Sequence, residues 1–285
     1  MVAVLLGLAA SASFACADFF GGVASRRADP WLSVLANQVV GFLPLTVYLV
    51  LLLDEAPTSR DIWLSVGAGL ASVIGLGLLF GGFAVGRMAV VAPVSAGVGG
   101  VVPIAWGLLR GERPSALAFF GGVVTLGAAI FLARSEAVDA DDGRAAPDDP
   151  KATVMAVGAG LAFGVILVCF SETGSDVGLW PPFVAHLVAI PTLTVGLLVT
   201  GRSLRPPDDA RRVMVASGFF DATAVSLLLL ALQQDEFVSL VAPAANLYPA
   251  GTVLLATFVL HEHLRRSQVV ALAVAAVGLV LLASG

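Results

Sequence analysis

Long apolar runs, broken only by short polar stretches, recur along the whole chain, and no other feature constrains its fold as strongly. A helix that crosses a bilayer needs about 20 mostly apolar residues. Cutting at charged clusters and Pro/Gly turns gives ten such segments, at residues 2–23, 31–53, 62–85, 88–109, 114–133, 152–171, 181–200, 211–232, 236–260 and 267–284. Composition agrees, with 58% hydrophobic and only 12% charged residues. Soluble domains carry about 25% charged residues, so fifteen Lys and Arg with twenty Asp and Glu are too few to clothe a water-facing surface. The expected fold class is an all-α integral membrane protein with ten transmembrane helices. Trp31, Trp63 and Trp180 at segment starts, and Trp106 near a segment end, suit the membrane–water interface. Residues 2–17 lack a basic leader and a clean cleavage site, and are expected to form a retained first helix rather than a signal peptide.

The same arithmetic excludes other classes. A net charge of −5 with a single lysine, Lys151, argues against nucleic acid as a partner. Cys16 and Cys169 are too few for a disulfide framework or a thiolate metal site. His261 and His263 stand two apart and point away from each other on a helix, so no metal site and no cofactor are expected. No phosphate-binding loop of the G-x-x-x-x-G-K-[ST] type occurs, which leaves ATP drive without support.

The stretch from Arg134 to Lys151 is acidic, contains Pro and Gly, and by composition has no structure of its own. It divides the chain near its midpoint into a first unit at 1–133 and a second at 152–285, with the linker at 134–151. The two units repeat. Val91-Ala92-Pro93 matches Val241-Ala242-Pro243 and Glu112 matches Glu262, both at an offset of 150. Late glycines, Gly127 and Gly278, follow in the fifth segment of each unit, and Gly7-Leu8-Ala9 aligns with Gly160-Leu161-Ala162. Five segments per unit is an odd number, so the second copy inserts upside down. Two inverted five-helix repeats of this kind build secondary transporters whose substrate sits at the midplane.

The doubled pattern of Ala92-Pro93, Gly111-Glu112-Arg113 and Gly127 with Ala242-Pro243, His261-Glu262-His263 and Gly278 resembles the EamA domain. Two such domains make a ten-helix member of the drug/metabolite transporter superfamily. The resemblance implies transport of an amino acid, related metabolite or drug across the plasma membrane, without naming the substrate. The second copy departs from the usual small-residue turn through His261, His263 and Arg265-Arg266.

Ionisable and amide groups inside the bilayer are costly, and each is a site hypothesis. Asp221, mid-segment in Phe219-Phe220-Asp221-Ala222, is the first choice for a proton or cation carrier; a carboxyl facing a water-filled cavity is the alternative. Asp18, late in the first segment, resembles the first-helix carboxylate of the small multidrug resistance proteins; an interfacial cap is the alternative. His186 titrates in the physiological range, although a histidine bonded to a backbone carbonyl is commoner. Asn37 and Gln38 either line a cavity or tie helices together. Ser95 between Pro93 and Pro103, and Asn246 and Tyr248 between Pro243 and Pro249, stand where prolines free backbone carbonyls; these four prolines are expected to kink the fourth and ninth helices. Glu112 and Glu262 are expected to be structural, pairing with bases at helix ends. Gly77-xxx-Gly81 and Gly82-xxx-Gly86 permit close helix approach, leaving monomer and homodimer both open.

Twelve of the fifteen basic residues fall after odd-numbered segments, which places those loops in the cytoplasm and both termini outside. The expected function is alternating access around a midplane cavity lined by segments 1, 3, 4, 6, 8 and 9. The expected direction is export, coupled to protons or to solute exchange. A membrane-embedded enzyme or a non-transporting membrane partner are the alternatives, the first lacking any catalytic spacing and the second any signalling domain.

Overall fold

The computed structural model describes residues 2–52, 55–111, 115–141, 150–174, 177–232, 247–262 and 266–283. Ten helices stand among them: α1 (Val2–Arg27), α2 (Pro30–Leu52), α3 (Ser59–Val85), α4 (Met88–Leu109), α5 (Ala116–Asp141), α6 (Pro150–Ser171), α7 (Trp180–Val199), α8 (Asp208–Leu232), α9 (Tyr248–Val259) and α10 (Arg266–Ala283). Helix is the natural solution for such a chain, because a bilayer offers no water to backbone N–H and C=O groups and the helix satisfies them internally. Six helices, α1, α2, α3, α4, α6 and α7, are long and apolar enough over their described residues to cross a membrane. Shorter apolar runs lie in α5, α9 and α10. The outer face is apolar as well: Leu43, Val154 and Phe258 are each at least 70% exposed, an arrangement that suits lipid rather than water.

Short turns punctuate the helices with local chemistry. Asp29 Oδ1 accepts from Trp31 N at 2.9 Å and opens α2. Thr58 and Asp61 form a reciprocal capping box at the start of α3. Gly111 and Gly201, at φ +82° and +67°, end α4 and α7 in the left-handed region that glycine tolerates.

Two expectations change. Helix α5 runs on to Asp141, so the first part of the stretch taken as a structureless linker is helical; Ala, Glu and Arg there are good helix formers that outweigh the acidic composition. Pro249 does not kink a helix. It sits in the first turn of α9, where a missing N–H costs nothing. Pro93 and Pro103 do lie inside α4, and Pro44 and Pro191 lie inside α2 and α7. Pro243, Asn246 and Glu112 fall outside the described residues.

The packing order repeats. Helix α1 packs along α8 and α3 along α6; α4 packs on α6 and α9 on α1; α3 meets α7 and α2 meets α8. Helices α2 and α7, α4 and α9, and α5 and α10 also pair. Exchanging each helix for the one five places away returns this scheme to itself. Glycines set the closest approaches: a Cβ on Gly160 would stand 2.4 Å from Ser95 O, one on Gly77 2.2 Å from Trp31, and one on Gly86 2.5 Å from the Ala152 Cβ. The glycines of α3 therefore serve packing within the chain.

The core is concentrated at one end of the bundle. Phe80 and Phe83 of α3 and Met88, Val90 and Val91 of α4 are fully buried there, with Leu197 of α7 and Met214 of α8. Toward the other end a smaller cluster of Leu45, Leu49 and Leu179 packs beside a hollow.

Candidate functional site: a cavity between the halves

The hollow is a cavity of about 550 Å³ walled by α1, α2, α3, α6, α7 and α8. It extends from Gln38, Ser72 and Asp221, near the middle of their helices, to Thr173 and Gly178 in the turn between α6 and α7. Phe14, Phe163 and Phe170 supply aromatic walls. A smaller chamber of about 170 Å³ adjoins it, lined by Ser95, Gly99 and Pro103 of α4 and Tyr248 of α9. Phe163 and Leu167 of α6 line both. Segments 1, 3, 4, 6, 8 and 9 were the expected lining; α2, α7 and α10 join them through Gln38, His186 and Leu279.

Two carboxylates lie within electrostatic reach of each other, one of them on the cavity wall. Asp221 projects from α8 into the larger one. Asp18 of α1 lies within electrostatic reach of both Asp221 and Tyr248. One turn before Asp18, Phe14 sets its ring 5.9 Å from that of Tyr248, which fixes the α1 face toward the cavity. Neither carboxylate has a hydrogen bond or ion pair among the described residues. Such a group in a low-dielectric site calls for a proton or a cation.

His186 of α7 faces Asp221 across α2. The Cβ position of Gly41 lies 3.7 Å from both Asp221 Oδ2 and His186 Nε2, so the two atoms are no more than twice that distance apart. His186 Nδ1 stands 2.8 Å from Pro182 O. A carbonyl only accepts, so Nδ1 carries the proton and the neutral ring turns the Nε2 lone pair toward the cavity. Gln38 is oriented by similar logic. The Ser72 hydroxyl donates to Gly69 O at 2.8 Å, leaving its oxygen to accept from Gln38 Nε2 at 3.4 Å. The Gln38 Oε1 is thereby turned away from Ser72.

Asn37 lies outside both chambers. Its Nδ2 donates to Ser217 Oγ at 3.1 Å, and Ser217 Oγ donates to Ala17 O at 2.9 Å, tying α2, α8 and α1 together behind the carboxylates. Ser95 is buried on the chamber wall, its hydroxyl donating to Ala92 O at 2.9 Å. Gly41, Ser72, Thr173, Ser217 and the three phenylalanines were missed by sequence reasoning. Small and aromatic residues are so frequent in apolar helices that nothing marks these.

Charged clusters stand at the two ends of the bundle. At the packed end Arg26 Nη2 pairs with Glu262 Oε1 at 2.8 Å and also donates to Gly86 O, while its Nε donates to Phe83 O. Glu262 accepts from Met88 N and Ala89 N, the free donors of the first turn of α4. The base that Glu262 meets among the described residues, Arg26, stands in the last turn of α1. Arg202 pairs with Asp29 at 2.6 Å nearby. At the hollow end Glu172 pairs with Arg60 at 2.8 Å and with Arg110, and accepts from Trp106 Nε1 at 3.1 Å. Those bonds, Trp106 and Arg110 first, hold the Glu172 carboxyl below the usual carboxylate range.

Residues 150–284 match the model of the EamA-like transporter family. No curated protein matches the sequence. A solved crystal structure shares the fold with a TM-score of 0.61 over 98% of this chain and 96% of its own, at 15% identity. Helices α6 to α10 therefore form an EamA-like transporter domain, of the drug/metabolite transporter superfamily.

Proposed function

We propose that the protein is a secondary transporter that moves a small organic molecule across the plasma membrane by alternating access. The cavity carries the reading: it is walled by helices of both halves, open toward one end and closed by packed core at the other. A solute path with one end shut is what alternating access requires of each of its states. The self-mapping helix packing supports an inverted pair of five-helix repeats, in which exchanging the two halves' conformations opens the other end. The basic residues Arg26, Arg27, Arg202, Arg211 and Arg212 at the packed end favour its placement in the cytoplasm. Export is then driven by protons or by solute exchange through Asp18, Asp221 and His186, with the substrate bound between them.

The test is counterflow in proteoliposomes, using pooled labelled amino acids and organic cations, for the native chain and for Gly41→Ala and Gly41→Leu. An alanine Cβ meets Asp221 and His186 at ordinary contact distance and keeps the flux. A leucine must push them apart or fill the space between them, and lowers flux at least ten-fold while the protein still folds. Absence of counterflow for every pool with folded native protein sinks the reading.

A further inference from the structure

We propose that the ligand of this cavity is a monovalent organic cation with an apolar or aromatic body, an amine or quaternary ammonium that carries no carboxylate. The inference rests on the transport reading above and narrows it to a substrate class. The argument is one of donors and acceptors. Among the described residues, the charged and titratable groups that line the chambers are His186 from α7 and Asp221 from α8 in the larger and Tyr248 from α9 in the smaller, and Asp18 from α1 lies within electrostatic reach of Asp221 and Tyr248. No lysine or arginine is among the described residues that line either chamber. The neutral groups extend the same bias. His186 spends its Nδ1 proton on Pro182 O and offers the Nε2 lone pair. Gln38, only 3% exposed, spends its Nε2 on Ser72 and has no partner for Oε1 among the described residues, although it lines the cavity.

The larger chamber therefore presents acceptors: the Asp221 carboxylate, the Gln38 carbonyl and the His186 lone pair. A ligand carboxylate or phosphate placed there finds no cation among the lining residues and stands beside the Asp221 carboxylate, with Asp18 within electrostatic reach of it, a costly arrangement in an apolar site. A ligand ammonium finds the reverse: two negative groups lacking ion pairs, and the rings of Phe14, Phe163 and Phe170, whose faces attract a cation. The volume of about 550 Å³ suits a drug-sized molecule. An amino acid satisfies half of this chemistry and violates the other half.

The experiment measures equilibrium binding to the purified full chain, in detergent, of four probes of similar body: phenethylamine (cation), phenylalanine (zwitterion), 3-phenylpropionate (anion) and tetraphenylphosphonium (permanent cation). Counterflow of each is measured separately in proteoliposomes. The expected result is binding of both cations at least ten-fold tighter than of the zwitterion or the anion, lost at least ten-fold in Asp221→Asn and Asp18→Asn and retained in Asp221→Glu. The Asp221→Glu variant keeps the charge and reports on folding independently. Equal or tighter binding of phenylalanine or 3-phenylpropionate overturns the proposal, as does failure of both cations to bind, or cation binding indifferent to both aspartates. Cation binding without counterflow removes the transport reading and keeps the ligand class. Counterflow of phenylalanine with no cation binding does the opposite.

Discussion

Asp18 and Asp221 are the residues on which the site turns, and their legibility differed. Asp221 was visible because a carboxylate in the middle of an apolar helix is costly wherever it points. Asp18 near a helix end was ambiguous, and only the approach of α1 to α8 brings it to Asp221 and Tyr248. Asn37 and Gln38 looked alike in sequence and have different surroundings: Asn37 is spent on Ser217, and Gln38 faces the cavity. Glu172 gathers Arg60, Arg110 and Trp106 at the hollow end. Its carboxyl is held below the ordinary carboxylate value, so the folded state binds fewer protons than the unfolded one. The stability it adds is complete above the unfolded carboxylate pKa and is lost as pH falls through the lowered folded value. Thermal unfolding followed by tryptophan fluorescence is therefore expected to be insensitive to this group at neutral pH. It should fall off below about pH 4, and in Glu172→Gln that acid limb should be smaller. An identical acid limb in the two proteins would refute the assignment.

At the scale of elements, the sequence repeat is more regular than the packing it produces. Gly127 and Gly278 occupy matching places in α5 and α10, but their surroundings differ. A Cβ on Gly278 would lie 2.4 Å from Thr125 Oγ1 and 2.8 Å from Thr125 N, while one on Gly127 meets nothing within 4 Å. Glycine in a helix costs about 1 kcal/mol relative to alanine, and overpacking a close crossing costs about 1–3 kcal/mol. Backbone nitrogen cannot rotate out of the way, so the second term prevails at Gly278 and the first at Gly127. Gly278→Ala is expected to lower the melting temperature in detergent and Gly127→Ala to leave it unchanged or raise it. The reverse order would show that α5 and α10 do not cross at Thr125. Helix boundaries followed the same division. Caps such as Asp29 and the Thr58–Asp61 box are local and readable, whereas the continuation of α5 to Asp141 opposes a compositional cue.

Across the whole molecule, two clamps of opposite charge order sit at the two ends. In the last turn of α1 the bases Arg26 and Arg27 reach Glu262 beyond α9 and the Asp209 carbonyl in α8. After α6 the acid Glu172 reaches Arg110 beyond α4 and Arg60 in α3. Each helix in the second set is five places from its equivalent in the first, so one arrangement is built twice with its charges exchanged. Only the Arg26–Glu262 clamp lies over packed core, and it also caps α4. Glu262→Gln removes its charge and is expected to raise the share of molecules open at the packed end. With Cys16 and Cys169 replaced, a single thiol at Ser72→Cys on the cavity wall should become reactive to a membrane-impermeant maleimide from that end, at least several-fold faster than in the parent. Unchanged labelling would leave the clamp a helix cap and nothing more.

The sequence by itself determined that the chain is helical and membrane-embedded and which acid stands mid-helix, because bilayer burial imposes those requirements on every twenty-residue segment separately. Tertiary structure decided the rest: which face of each helix meets which partner, that Asp18 joins Asp221, that Gln38 and His186 turn acceptors to one cavity, and which end is shut. Those outcomes depend on a few ångströms of approach at residues such as Gly41, Gly77 and Gly160. In a chain this apolar, lipid and neighbouring helices are nearly equivalent solvents for a leucine, so hydropathy does not say which helix face turns inward. Shape and the pairing of a few polar groups make that choice, and both exist only once the helices have met.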